Sequence, residues 1–439
     1  MGKFRRLLLA GAAVVVLLQV VRPGIPVKPA TAELRTTPEV QRILEKSCYS
    51  CHSDQRRLSW FDQIVPAYWV VRHHILTARE HLNFSTLGAK SAAQKATLYE
   101  SVNMIRLGAM PLPAFLLLHP EAKVTPEELA TLKAYLAPWT SEPRAPANAP
   151  AEIPSSVNLA TVQPEFDGFP FDPTFESWKL ISTTDRGDNG TFRFVLGNDV
   201  SARAARTGSL SPWPDGARLA KIAWQQEPGP DGLVRPGKFV QVELMVKDAG
   251  RYKRTQGWGW GRWRGVDLKP YGKDAHFVDE CTGCHQPLGG NDYVYTLPIS
   301  PAKVSRAEVV NHAAALPASL PYQPLDWGAI TMYVDPMDRT MATLYGNERA
   351  IEAARARTAK GPAYTSGAVL ALVTWTQRDD PHWFGARIPG VPQSVEFVEA
   401  GQPPSYRRFS GAGLTEVRDA AGAAQRASFV LGLAPAWLP

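Results

Sequence analysis

The feature that most constrains this 439-residue chain is a five-residue pattern that occurs twice, as Cys48-Tyr49-Ser50-Cys51-His52 and as Cys281-Thr282-Gly283-Cys284-His285. The two copies use all four cysteines. Cys-x-x-Cys-His reads as covalent c-type haem attachment. Two thiols three residues apart can each take one vinyl carbon of a haem, and the histidine that follows then lies under the iron as its proximal ligand. A lone Cys-x-x-Cys could be half of a zinc site or a redox dithiol. Two copies, each followed by histidine and with no cysteine left over, argue against both. The expected cofactors are two covalently attached haem c groups, one on Cys48 and Cys51 with His52 on the metal, the other on Cys281 and Cys284 with His285 on the metal.

A covalent haem of this kind is attached outside the cytoplasm, and the N-terminus agrees. Lys3, Arg5 and Arg6 precede an apolar run from Leu7 to Val21, interrupted only by Gly11 and Gln19. That is the charged and apolar pattern of an export signal. Ala30-Thr31-Ala32 offers a cleavage site, while the run is short of the roughly 20 residues of a membrane span. Residues 1–32 are therefore read as a signal peptide or an uncleaved anchor. Either way the chain is expected in the periplasm, held at the inner membrane if the anchor stays. The net charge of +7 is mild for this length and comes without a Lys/Arg run, so no nucleic-acid partner is expected.

Residues 33–137 read as helical. Thr37 and Pro38 start a helix with Val40, Ile43 and Leu44 on one face, and it runs into the first motif. Leu98, Val102, Ile105 and Leu107 form a second periodic set. Thr125-Pro126-Glu127-Glu128 caps a third helix bearing Leu129, Leu132, Tyr135 and Leu136. Helix, haem motif, helices, a Met-Pro turn and a closing helix is the order of a small class I cytochrome c. Met110, in Gly108-Ala109-Met110-Pro111-Leu112-Pro113, is the expected sixth ligand, with Pro111 stiffening the loop. Met/His ligation leaves no open position and suits electron transfer. His73, His74, His81 and His119 are its rivals. The segment also resembles a family of small haem-binding domains that carry Cys-x-x-Cys-His-Ser near the start, here Cys48 to Ser53. The family's second element, Met-Pro followed by His-Pro, is here Met110-Pro111 and His119-Pro120. Residues Arg79 to Ser85 fit it as well.

Pro138, Pro143, Pro146, Pro150 and Pro154, spaced by alanines, mark residues 138–163 as a semi-rigid linker, roughly 3 Å per residue. Beyond it the period changes to two. Thr191 to Leu196, Ala217 to Trp224 and Phe239 to Val246 alternate between Asp-Asn-Gly and Pro-Asp-Gly turn signals, so 164–300 reads as an antiparallel sheet domain with some helix. Lys221 stands on a strand face with Ala217, Leu219 and Ala223. A buried lysine loses its charge readily and becomes nucleophilic, whereas an edge lysine would point to solvent. Glu243 and Arg193 alternate with apolar neighbours and read equally well as solvated strand charges.

Residues 164–298 resemble the cytochrome P-460 and cytochrome c′-beta family. The likeness rests on Arg193, Asn198-Asp199-Val200-Ser201, Arg206-Thr207-Gly208, Asp215-Gly216 followed by Lys221, Val242-Glu243, Val246-Lys247-Asp248, and Glu280-Cys281 through His285 with Asn291-Asp292. It implies a five-coordinate haem with proximal His285 and an open position for hydroxylamine or nitric oxide. It also implies a lysine at Lys221 joined covalently to the haem edge, with Arg193 and Glu243 on the distal side. Members with the crosslink oxidise hydroxylamine; those without it bind nitric oxide. Glu243 would then be a base in the pocket and Arg193 would polarise the bound N–O group. The implied function is an exported dihaem cytochrome that oxidises hydroxylamine or a related nitrogen oxide and passes electrons to the N-terminal haem and on to a redox partner cytochrome. A non-catalytic nitric oxide binder and a pure electron carrier are the alternatives.

Residues 301–439 contain a weak repeat of the sheet domain over 324–417. Gly216-Ala217-Arg218-Leu219-Ala220-Lys221 aligns with Gly367-Ala368-Val369-Leu370-Ala371-Leu372, Trp224 with Trp375, and Val242-Glu243-Leu244 with Val395-Glu396-Phe397. Asn198-Asp199 is set against Asp335-Pro336, and Ile330 against Arg193. This copy has no Cys-x-x-Cys-His and has leucine in place of Lys221, so it is expected to be haem-free. The family resemblance implies homodimers, and a tandem copy can supply the second patch of such an interface. The two sheet segments are therefore expected to pack as an internal pseudo-dimer.

Overall fold

The computed structural model describes residues 2–55, 57–88, 92–137, 157–301, 309–356, 362–418 and 422–438. All five prolines of the expected linker lie outside them. The chain divides into two units, Met1–Pro138 and Trp139–Pro439.

Where apolar residues recur every three to four positions, the first unit is helical: α1 (Gly2–Leu18), α2 (Pro38–Ser47), α3 (Tyr49–His52), α4 (Ala67–His81), α5 (Ala92–Arg106), α6 (Pro113–Leu116) and α7 (Pro126–Leu136). Thr37 caps α2 by accepting the Val40 N–H at 3.4 Å, with Pro38 at the first helical position. Thr125 and Glu128 close a reciprocal capping box on α7. Val40 and Leu44 of α2, Ile75 of α4, Val102 of α5 and Leu132 and Leu136 of α7 are buried. The chain after α1 is bonded into this unit. Gln19 exchanges hydrogen bonds with Val65, Tyr68 donates to the Pro23 carbonyl, and Thr31 and Ala32 donate to the Ser85 carbonyl. No helix among the described residues is long and apolar enough to cross a membrane.

The second unit is built on a sheet whose strands are β1 (Lys179–Arg186), β2 (Thr191–Gly197), β3 (Arg218–Pro228), β4 (Val234–Lys247), β5 (Trp258–Arg264), β6 (Lys269–Pro270), β7 (Gly328–Asp335), β8 (Thr340–Gly346), β9 (Val369–Asp379), β10 (Ala386–Glu399), β11 (Ser405–Ser410) and β12 (Thr415–Val417). Its helices are α8 (Asp199–Thr207), α9 (Phe277–His285), α10 (Glu348–Arg355) and α11 (Ala423–Leu431). The pairing β1-β2-β3-β4-β7-β8-β9-β10 returns to β1, so eight strands close a ring, with β5 and β6 leaving from β4 and β11 and β12 from β10. Closure removes the open edges that an isolated sheet would present.

The two runs β1–β6 and β7–β12 follow one plan. Lys179 pairs Gly197 and Gly328 pairs Gly346, and each ladder slips at the next position, Leu180/Ser182 and Ala329/Thr331. Lys221 pairs Glu243, and Leu372 pairs Glu396. Trp224 faces Phe239 between two register shifts, and Trp375 faces Pro392 between two. Asn198 caps α8 by accepting from the Ser201 and Arg218 amides while donating to the Gly216 carbonyl. Asn347 does the same for α10 with Ala350, Val369 and Gly367. The register corrects two alignments made from sequence. Asn198 corresponds to Asn347, not to Asp335, and Arg193 to Ala342, not to Ile330. The β1–β2 and β7–β8 hairpins have equal length, which a search for matching letters does not use.

The two runs join twice. Val234 of β4 pairs Val334 of β7, and Arg387 of β10 pairs Asp185 of β1. By the registers above, Val234 and Arg387 are equivalent, as are Val334 and Asp185, so the second contact is the first with roles exchanged. One core fills the space between, with Phe194, Ile222 and Trp224 from the first run against Met332, Tyr345 and Trp375 from the second. Each tryptophan spends its indole N–H on a backbone carbonyl, Trp224 on Trp437 and Trp375 on Ala314, as buried indoles require.

Candidate functional site

In the first unit α2 delivers the chain to Cys48, and α3 carries Cys51 and His52 one turn on. Residues three apart on a helix share a face, so both thiols can meet one planar group. The His52 ring lies 3.0 Å through Nδ1 from the Leu82 carbonyl, which makes Nδ1 the donor and leaves Nε2 free as a ligand. Its own carbonyl accepts from Phe84, whose ring stands edge-on to the imidazole and stacks on Tyr49. Residues 79–85 thus form the seat of the histidine. Burial lowers the His52 pKa, which favours the neutral, ligating form. Burial also pushes the Cys48 thiol up to about 12 and Cys51 to about 11. A redox dithiol needs a depressed thiol, so these cysteines are unsuited to that chemistry.

Met110 lies in a turn whose amides at 109 and 110 both donate to the Met104 carbonyl, and its side chain is part-exposed. Among its rivals His119 is committed elsewhere. Its Nε2 is 3.1 Å from Asp62 Oδ1, its Nδ1 is 3.3 Å from Glu121 Oε1, and its ring stacks on Phe115 at 4.1 Å.

In the second unit α9 carries Cys281, Cys284 and His285. The His285 Nδ1 lies 2.6 Å from the Tyr293 carbonyl, the same device as at His52. Trp260 and Tyr295 stand edge-on to its ring at 4.6 and 5.0 Å. Burial holds the imidazole neutral, its pKa lowered to about 4, and pushes the Cys281 thiol up to about 12. The loop that presents Tyr293 is pinned by Asp292, at a φ of 47°. That carboxylate takes the Lys247 ammonium at 2.7 Å and the Trp213 amide at 2.8 Å.

Facing α9 is one face of β2, β3, β4 and β5. Cross-strand pairing sets Lys221 beside Glu243 and Glu243 beside Arg262, with Arg193 on the same face one residue pair away. Lys221 and Glu243 form an ion pair, Arg262 Nε lies 3.2 Å from Glu243 Oε1, and Gln241 donates to the same oxygen. Arg262 also reaches Glu280, next to Cys281, at 3.7 Å. The three residues expected from sequence are thus brought together, and Glu243 does not point to bulk solvent. Burial lowers the Lys221 pKa, against the pull of Glu243. For Glu243 burial acts upward, but Lys221, Arg262 and Arg193 together hold the carboxyl well below its ordinary range. Burial brings Arg193 down to about 9. The charges of Lys221, Glu243 and Arg262 are also felt at Cys281 and His285.

Sequence reasoning missed Arg262 and Trp260. Their signal was the alternation Trp258-Gly259-Trp260-Gly261-Arg262. The glycines lie on the opposite face, where a Cβ would run into Tyr252 and Phe169 at Gly259 and into Trp263 and Phe169 at Gly261.

This site fits a haem. Its motif helix offers two thiols and a free imidazole nitrogen, and Arg193 Nε and Trp260 Nε1 are buried donors without a hydrogen-bond acceptor among the described residues. In the second run the equivalent face is closed instead. Leu372 and Ala342 are fully buried and cluster with Ala427 and Val430 of α11, and Glu396 takes Arg426 of that helix at 2.6 Å.

Comparison with known families agrees with this geometry. Residues 13–138 match the family described as haem-binding domain, and residues 173–296 match the family described as cytochrome P460. The chain therefore carries a haem-binding domain followed by a cytochrome P460 domain. No curated protein matches it.

Proposed function

We propose that this protein is an exported dihaem c-type cytochrome that oxidises hydroxylamine, or a closely related nitrogen compound, at the site built from α9 and the β2–β5 face. The observation that carries the reading is the Lys221–Glu243–Arg262 cluster, with Arg193 beside it, standing over the Cys281–His285 helix. Bound haem would supply a redox-active iron with one open position for the substrate nitrogen. Removing electrons from hydroxylamine also requires removing its protons, and Glu243 is the acceptor at hand. In its present pairing Glu243 is a weak base. A Lys221 amine bonded to the haem edge would no longer be an ammonium, and Glu243 would lose a principal counter-ion and gain proton affinity. Arg193, whose Nε has no protein acceptor among the described residues, is placed to hold the substrate oxygen.

The first unit then serves as electron acceptor. His52 and Met110 would close both axial positions of its haem, and the 138–163 segment tethers it to the oxidising site at high effective concentration. The bonds from residues 19–32 into the first unit support retention of the N-terminal segment over cleavage at Ala32. We read β7–β12 as a degenerate, haem-free copy that packs on the first as an internal pseudo-dimer. The exchanged contacts Val234–Val334 and Arg387–Asp185 support it.

One observation favours a second reading, a nitric oxide binder without turnover. With Lys221 uncrosslinked, Glu243 stays locked between two cations and cannot act as a base. Lys221→Leu and Glu243→Ala separate the two. Under the oxidase reading, wild type shows a red-shifted ferrous Soret band that Lys221→Leu abolishes. Glu243→Ala loses hydroxylamine oxidation and keeps nitric oxide binding. Wild type without the shifted band and without turnover would establish the second reading.

A further inference from the structure

The hairpin between β9 and β10, Asp380 to Gly385, belongs to the haem-free run but lies against the proximal side of the other run's motif helix. His382 Nδ1 is 2.6 Å from the Tyr295 carbonyl and must donate to it. The Trp383 ring meets the Tyr295 ring edge-on at 5.5 Å. Tyr295 in turn donates its hydroxyl to the Cys284 carbonyl at 2.8 Å and stands edge-on to His285 at 5.0 Å. Tyr293, two residues before it, carries the carbonyl that accepts from His285 Nδ1.

The hairpin itself is fixed from the first run. Arg186 and Asp188 form a buried bidentate pair. The guanidinium lies over Trp383 at 4.2 Å, the indole N–H reaches Asp188 at 3.3 Å, and the Asp188 amide donates to the Gly385 carbonyl. The corresponding hairpin of the first run, Gly229-Pro230-Asp231-Gly232-Leu233, has neither histidine nor aromatic residue. The elaboration is confined to the hairpin that reaches a haem motif.

We propose that the haem-free run completes the haem site from its proximal side. In this arrangement His382 and Trp383 are positioning residues that hold Tyr295 and, through it, set the donor strength of His285. The inference rests on the reading of Cys281 to His285 as a haem-attachment motif. The physical link is the hydrogen bond at the non-ligating nitrogen. A short Nδ1–H···O bond makes the imidazole a stronger donor to a metal at Nε2. Releasing the Tyr295 carbonyl loosens the 293–295 segment, lengthens the bond to the Tyr293 carbonyl and weakens that donor. The haem-free run would then be retained for what it does to the ligand, beyond covering a sheet edge.

The test uses the full-length holoprotein. Resonance Raman of the reduced form reads the iron–histidine stretch of a five-coordinate haem, to which a six-coordinate first haem contributes nothing. His382→Ala should move that band to lower wavenumber and raise the midpoint potential of the second haem. His382→Asn, which keeps an N–H donor, should restore both toward wild type. Tyr295→Phe, which keeps the ring and loses the bond to Cys284, should shift the band in the same direction should His382→Ala lose its fold. An unchanged band and potential in variants that carry both haems would overturn the inference alone. A wild-type protein lacking the second haem mass increment would overturn it together with the reading beneath it.

Discussion

Lys221 and Leu372 stand at the same register position in two runs of strands with the same order, the same bulges and the same asparagine cap. Around Lys221 the face is charged, with Glu243, Arg262 and Arg193, and the helix above it presents two cysteines and a histidine. Around Leu372 the face is apolar, and α11 lies on it with Ala427 and Val430. The backbone plan thus tolerates either content, and side chains decide whether the face is a binding site or a core. Glu243 and Glu396 make the point most sharply. Both carboxylates occur at one position, but the first sits among three cations beside the motif helix while the second is neutralised by one arginine of the covering helix. The same residue type at matching register positions is therefore weak evidence of the same role.

The largest effect expected from this comparison concerns the join. A chain ending at residue 300 loses the partners of Val234 and Asp185 and half of the shared aromatic core. It should not persist as a folded monomer. A monomer of unchanged melting temperature, seen by sizing and calorimetry, would show that the runs are independent domains. Exchanging the paired residues is the next largest perturbation. Leu372→Lys buries an ammonium in an apolar face under α11, beside a Glu396 already held by Arg426, and should cost on the order of 3–5 kcal/mol in denaturant unfolding. Lys221→Leu should cost less, because Glu243 keeps Arg262 and Arg193 as compensating cations when its lysine partner is removed. Equal costs would mean that the two faces are not as different as their contents suggest.

The glutamates give a smaller, qualitative contrast. Glu243→Ala should abolish hydroxylamine turnover and also lower the melting temperature, because it leaves Lys221, Arg262 and Arg193 without their shared carboxylate. Glu396→Ala should leave turnover intact and lose about 1 kcal/mol of stability, since Arg426 is partly solvated. A loss of activity in both would move the assignment from local chemistry to general integrity of the unit. Smallest is the effect confined to the first unit. Met110→Ala should convert the first haem's spectrum from six-coordinate low-spin to one with an open position, leaving the second haem unchanged, whereas His119→Ala should not. The opposite pattern would reassign the ligand, against the two carboxylates that already hold the His119 ring.

Much of this was legible in the sequence because the chemistry is written in rigid spacings. Cys-x-x-Cys-His fixes two thiols and an imidazole on one turn whatever the fold around them, and alternation along Ala217 to Trp224 gives the face of Lys221 directly. Gly216–Lys221 and Gly367–Leu372 both lead into strands of one ring, β3 and β9. What failed was equivalence where the letters had diverged. Asn347 and Ala342 could be found only by counting residues across hairpins of fixed length. Arg262 was hidden because the Trp258–Arg262 alternation gives its face but not its partner, which only the pairing with Glu243 supplies. The hydrogen bonds from His52 and His285 to backbone carbonyls were beyond reach, since Leu82 and Tyr293 contribute main-chain atoms that their side chains do not advertise.

The central claim is that one chain carries two covalently held haems, the second gripped from both the α9 side and the Lys221 side. Mass spectrometry of the acid-treated holoprotein tests it directly. The account predicts a mass exceeding the polypeptide by two haems, and a proteolytic fragment in which the Cys281–His285 peptide and the Lys221 peptide are joined through one haem. A single haem increment, or two haems with the Lys221 peptide released free, would contradict it.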